Sequence, residues 1–134
     1  MPVDDDAAEV EAANLRFYRA FESMDIAEMD RVWVRRHHAR CVHPGRGLIE
    51  GWEAVRQSWE AIFKHSGEMR FTLGDVTAHV DGSLAWVTCT ENILSEVRGT
   101  VAVTAILSTN IFERHGREWL IVHHHASHIM TPTT

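Results

Sequence analysis

Near the start of the chain, Val10, Ala13, Phe17, Phe21 and Met24 recur at spacings of three and four. That stripe predicts an amphipathic helix over about residues 5–23, with Asp4, Asp5 and Asp6 as N-cap and favourable first-turn charge. A second helix start follows at Asp25, where Glu28 stands three residues on as a variant capping pair. Ile26, Met29, Val32 and Trp33 give that short helix its buried side. The stretch Ala39-Arg40-Cys41-Val42-His43 is extended in character, and Pro44-Gly45 ends it as a turn. Gly51 then opens a third helix, GWEAVRQSWEAIF, with Trp52, Val55, Trp59, Ile62 and Phe63 on its apolar face and Gly67 as C-cap.

Beyond residue 68 the pattern changes to strands. MRFTLGDVTAHV stops at Asp81-Gly82, a strong hairpin signal. SLAWVTCTENILSEV runs to Arg98-Gly99, TVAVTAILSTNIFER to His115-Gly116, and REWLIVHHHASHI closes before Pro132. With no repeat, linker or low-complexity stretch, residues 1–134 read as a single domain. Three helices followed by long strands define an α+β fold with helices on one face of the sheet. Such a sheet twists and curls, leaving room for a pocket between its concave face and the helices. Val101, Val103 and Ala105 make the other face apolar as well, which predicts a homodimer built on the convex face.

Composition narrows the partners. Apolar residues make up 45% and charged residues 24%, which fits an ordinary globular domain. A formal charge of −6 argues against nucleic acid, because phosphate binding needs clustered Lys and Arg. The short basic cluster Arg35-Arg36-His37-His38 with Arg40 reads as a solvated loop. No run approaches the roughly 20 apolar residues of a spanning helix, so no membrane role is expected. The acidic start MPVDDDAAEVE is unlike a signal peptide, which makes cytoplasmic the default. Cys41 and Cys89 have no CxxC spacing and read as reduced, buried thiols.

The chemistry concentrates in WLIVHHHASHI, residues 119–129. Strict alternation places Trp119, Ile121, His123, His125 and Ser127 on one face, and Leu120, Val122, His124, Ala126 and His128 on the other. On this reading His123 and His125 face a pocket with His43 as third member, while His124 and His128 are interface or surface groups. His123 and His125 lie about 7 Å apart at a rise of ~3.4 Å per residue, a spacing that two ligands of one metal can have. No HExxH, no Cys set and no carboxylate motif reinforces it, so no metal and no cofactor are expected. The other readings are acid–base use of an imidazole near its pKa, and hydrogen-bonded strand histidines.

In element order the chain resembles the cone-shaped α+β fold of nuclear transport factor 2, ketosteroid isomerases and SnoaL-like polyketide cyclases. HPGRGLIEGWEAVRQSWEAIF and REWLIVHHHASHIMTP resemble the small SnoaL-like proteins. They are also similar to the association domain of calcium/calmodulin-dependent protein kinase, through a Pro-containing turn before Leu-Ile-Glu-Gly and a final Trp-x-x-Val-His-x-His-x-Ser strand. The resemblance spans nearly the whole chain and implies a curved mixed sheet wrapped on three N-terminal helices.

Site residues follow from the resemblance. Ketosteroid isomerases carry their general-base aspartate before the proline corresponding to Pro44, where this chain has His43. Their oxyanion-hole tyrosine matches Phe17, which has no hydroxyl, and their protonated aspartate matches Asn110. The kinase association domain has pocket arginines where this chain has Glu91 and Asn110, which implies a neutral or cationic ligand. Two functional classes result. One is an isomerase or cyclase with His43 or His125 as base, Asn110 as oxyanion donor and Glu91 tuning the histidine. The other is a binding or association module without catalysis. In both, Phe17, Trp52, Trp59, His123 and Ser127 are expected around a small, largely apolar ligand.

Overall fold

The computed structural model describes the backbone of residues 2–130 and the side chains of residues 5–96 and 98–130. Helix α1 (Pro2–Ser23) begins before the expected start, so the aspartates sit in its first turns. The Asp4 side chain, expected as part of the cap, lies outside the described residues, as does Pro132. Asp6 reaches Arg114 at 3.5 Å. The stripe Val10, Ala13, Phe17 and Phe21 is buried, joined by Asn14, Tyr18 and Ala20. In α2 (Ile26–Val32) the Asp25 carboxylate caps by accepting the Ala27 N–H at 2.9 Å. Glu28 does not complete a capping pair. Ser23 Oγ already takes the Asp25 N–H at 3.2 Å, and Glu28 pairs with Arg31 at 2.8 Å.

Strand β1 (Arg40–Val42) is followed by β2 (Leu48–Glu50), a strand that the sequence pattern did not separate from the next helix start. Helix α3 (Trp52–His65) opens at Gly51, whose φ of 88° favours glycine. Its C-cap is Ser66, one residue before the expected Gly67, with the Ser66 N–H bonded to Ile62 O at 2.9 Å. Four long strands follow: β3 (Met69–Asp81), β4 (Leu84–Val97), β5 (Thr100–His115) and β6 (Glu118–His128).

All six strands form one sheet in the order β2-β1-β6-β5-β4-β3. The four long strands pair antiparallel, but β1 runs parallel to β6, so the sheet is mixed. Helices pack on its concave side over an aromatic core. Phe17 packs edge-on to Trp59 at 5.7 Å, and Phe21 to the same indole at 4.8 Å. Each such buried side chain contributes roughly 2–3 kcal/mol of transfer free energy. Trp86 is on the outer face, 39% exposed, with its ring 4.6 Å from that of His79. Among the described residues no helix is long and apolar enough to cross a membrane.

Two register shifts bend the sheet. In β3 the pairing slips between Gly74 and Thr77, where Asp75 takes a left-handed φ of 50°. In β6 the slip is at Val122. Phe112 faces Ile121 and Ile111 faces His123, so Val122 is an extra residue opposite nothing. The Ile121 carbonyl beside this bulge accepts the Val34 N–H at 2.9 Å, tying the segment after α2 to β6. Beyond the bulge every side chain of β6 has changed face relative to strict alternation.

Candidate functional site

A cavity of about 190 Å³ lies between the helices and the concave face. Phe21, Pro44, Ile62, Ile93 and Ala126 form its apolar wall, and His43, Arg46, Glu91 and His124 are its polar members. A wider depression of about 620 Å³ sits at the start of α3, lined by Arg35, Arg36, Glu50 and Trp52 among others. Its charged side chains are solvated on an open surface. Convergent buried polar groups are found in the smaller cavity.

Glu91 comes from β4 and is 2% exposed. Its Oε2 accepts the Tyr18 hydroxyl at 2.5 Å and also the Ser108 hydroxyl, while among the described residues no hydrogen bond reaches Oε1. Burial drives its pKa up, and the two hydroxyl donors oppose this by favouring the carboxylate. Burial prevails, so the carboxyl holds a proton above the usual range. With Oε2 accepting twice, Oε1 is the oxygen left to carry it. Tyr18 is itself pushed well above the ordinary phenol, by burial first and the Glu91 charge second.

Asn110 on β5 fixes the neighbouring histidine. Its amide nitrogen donates to Asn14 Oδ1 at 2.9 Å and to the Tyr18 oxygen at 3.0 Å. Both amide hydrogens are therefore used. The amide oxygen can only accept, so the 2.6 Å contact with His124 Nδ1 makes that nitrogen the donor. Burial first, then His43, His123 and His125, hold the His124 pKa well below its ordinary value. The neutral ring thus carries its lone pair on Nε2.

His43 follows the same logic from the other side. Ser58 spends its hydroxyl hydrogen on Val55 O at 2.6 Å, so His43 Nε2 donates to Ser58 Oγ at 2.9 Å. Its lone pair lies on Nδ1, 3.9 Å from Cys41 Sγ. Burial, with Arg46 second, lowers its pKa to about 4. The Trp59 indole packs edge-on against this ring at 4.8 Å.

The structure brings together part of the expected set. His43 and Glu91 line the cavity, and Asn110 stands behind it. Asn110 has no donor left for an oxyanion; it positions His124. Phe17 and Trp59 are fully buried and pack behind the histidines, with Phe17 4.9 Å from His124. Trp52 packs on Trp33 at 5.8 Å and borders the outer depression. The largest correction concerns β6. Because Val122 bulges, His123, His125 and Ser127 point to the outer face, and His124 turns inward at 1% exposure. Ring centroids of His123 and His125 lie 6.1 Å apart on that outer face. Among the described residues no three His, Cys, Asp or Glu side chains are placed to hold a metal.

Sequence reasoning missed Asn14, Tyr18, Ser108 and the inward role of His124. A signal for the first three existed. Asn14 and Tyr18 are one helical turn apart, and Ser108 and Asn110 alternate onto one strand face. The phenol missing at Phe17 is thus replaced by a buried phenol one residue later.

These features define a cone-shaped α+β domain with a small cavity lined by buried polar groups. The chain belongs to the SnoaL-like domain family, which it matches over residues 10–132. It is similar to a provisionally assigned dehydratase of the NTF2-like family from Streptomyces avermitilis, with 34% identity and a TM-score of 0.90. That match covers 98% of this chain and 100% of the other. A provisionally assigned calcium/calmodulin-dependent protein kinase type II association domain from Thiobacillus denitrificans is 32% identical, with a TM-score of 0.81 over 90% and 94% of the two chains. The F-box protein SKIP8 of Arabidopsis thaliana is 28% identical over 116 residues, 87% of this chain. The chain spans 48% of that curated relative, about half its length.

Proposed function

We propose that this chain is a cofactor-independent lyase of small molecules, a dehydratase acting by proton transfer in the 190 Å³ cavity. The observation that carries the reading is a buried carboxyl, its pKa raised by burial, lining the same cavity as an imidazole whose lone pair is fixed by Asn110. Paired groups whose environments keep one as acid and the other as base are the arrangement elimination needs. The 34% identity to a protein described as a dehydratase supports the same chemistry.

In a β-hydroxy carbonyl substrate, His124 Nε2 takes a proton from the carbon next to the carbonyl. The C–H electrons form the new double bond as the C–O bond to the β-hydroxyl breaks. Glu91 gives its proton to the departing oxygen, which leaves as water. His124 ends protonated and Glu91 ionised, and transfer of one proton from His124 to Glu91 restores both. Tyr18 and Ser108 serve this step because their hydrogen bonds stabilise the carboxylate that forms. His43, anchored to Ser58, is the second neutral imidazole in the wall.

A non-catalytic association module is the competing reading, favoured by the 32% identity to an association domain. Incubating the protein with compact β-hydroxy ketones and β-hydroxy acids in deuterated water, followed by proton NMR, separates the two. Elimination or α-proton exchange should appear in wild type and fall roughly 100- to 10,000-fold in His124→Gln and Glu91→Gln. Folded wild type that binds these compounds without exchanging or eliminating any of them would leave the association module standing.

A further inference from the structure

Arg46 is the polar lining residue that the elimination chemistry leaves unused. It is placed by the turn joining β1 to β2, where the Arg46 N–H donates to His43 O at 3.0 Å. Pro44 and Gly45 occupy the two central positions, and Gly45 has a φ of 76°, as a type II turn requires. The turn thereby sets Arg46 and His43 on the same cavity. Its side chain is on the exposed rim, while His43 lies in the buried wall.

Among the described residues Arg46 has no ion-pair partner. The nearby arginines differ, since Arg40 pairs with Glu50 and Arg56 with Asp30. Burial disfavours the charged form of each remaining polar lining group, raising the Glu91 pKa and lowering those of His43 and His124. The Arg46 guanidinium, always charged and unpaired among the described residues, stands above an apolar interior of Phe21, Ile62, Ile93 and Ala126.

We propose that the cavity's ligand is a compact carboxylate, with its apolar body between Phe21, Ile62 and Ile93 and its carboxylate held by Arg46 at the rim. This rests on the preceding reading for the location of the site, but not for its catalysis. A planar guanidinium matches a carboxylate through two parallel hydrogen bonds, and at a rim it is not fully stripped of water. The volume also fits, since a cavity of about 150 Å³ admits benzene. The neutral or cationic ligand expected from the sequence counted Glu91 as a negative charge and did not count Arg46. Burial weakens the first point by raising the Glu91 pKa, and the turn supplies the second.

Benzoate and benzamide are matched probes, equal in shape and different in charge. Their affinities are to be measured by calorimetry at about pH 8, where an ordinary histidine is neutral, with the His124 ring signals followed by NMR to confirm cavity binding. Wild type should bind benzoate about tenfold or more tightly than benzamide. Arg46→Gln should abolish that preference while leaving benzamide affinity unchanged, and Arg46→Lys should retain part of it. Equal affinities in wild type, a preference that survives Arg46→Gln, or no benzoate binding at millimolar concentration would each overturn the inference. Neither probe can undergo elimination, so the outcome is independent of turnover. A carboxylate preference without dehydration would reject the catalytic reading alone.

Discussion

The His124 imidazole donates from Nδ1 to the Asn110 amide oxygen at 2.6 Å, and this bond decides which ring nitrogen keeps a lone pair. Asn110 is in turn held by Asn14 and Tyr18, so the orientation of the histidine is set from helix α1. Replacing Asn110 by Leu leaves buried partners unpaired on three side chains. Stability should fall by about 3 kcal/mol in chemical denaturation, and nitrogen NMR should show the Nδ1–H preference of His124 lost. A variant that keeps the same tautomer would show that Asn110 does not set it.

Tyr18→Phe removes one of the two hydroxyls on Glu91 Oε2. That bond favours the ionised form, so the Glu91 pKa should rise further in the variant. Carbon NMR of the labelled carboxyl reads the shift directly, and a fall would contradict the assignment of Tyr18 as donor. The accompanying loss of stability should be about 1–2 kcal/mol.

Acid should destabilise the protein through His43. Its pKa is about 4 in the folded state and near 6.5 in the unfolded chain. Between those values the unfolded state binds the extra proton, so the stabilisation present above pH 6.5 is lost as pH falls towards about 4. The loss from this one group reaches about 3 kcal/mol. Denaturation midpoints recorded across that window should slope downwards towards acid, and His43→Gln should flatten the slope. Glu91 acts in the opposite sense, because its raised pKa favours the folded state on the acid side.

Deleting Val122 removes the unpaired residue without altering any pair of the β5–β6 ladder. His124 should stay opposite Asn110 in the deletion variant and keep its depressed pKa in a proton NMR titration. If the hydrogen bond to Asn110 passed to a different histidine, the bulge would have to be setting the register rather than accommodating it.

The outer face of the sheet is proposed to pair with that of a second copy. Leu94, Val101, Val103 and Leu107 stand there at least 45% exposed on neighbouring strands, more apolar surface than a lone sheet face needs to show to water. Light scattering at micromolar concentration should give a dimeric mass, and Leu107→Glu should halve it. A monomeric wild type would remove this expectation.

Much of the fold could be read from the chain because its signals are local. Asp81-Gly82, Arg98-Gly99 and His115-Gly116 mark the three hairpins, and a glycine with positive φ sits at each. β2 escaped notice because Leu48–Glu50 is short and stabilised by its pairing with β1, which no local pattern announces. The site was harder for the same reason. Glu91 and His43 were reached through the family resemblance, which sets their positions on the pocket wall. His124 was assigned to the wrong face because alternation assumes that every strand residue has a partner. Tyr18 went unnoticed beside Phe17, since a helix stripe shows which side is buried but not which buried hydroxyl finds a carboxyl.

Three successive histidines on β6 have a consequence for how this strand can change over time. Ile111 and Asn110 receive His123 and His124 in the present pairing. A slip of one position in either direction would still deliver an imidazole opposite Asn110. The repeated residue makes the inner position redundant in identity, so small insertions or losses near Val122 could be absorbed without removing the ring from the cavity. The histidine run works as a margin of error for the position opposite Asn110, and the outward-facing members are the spare copies.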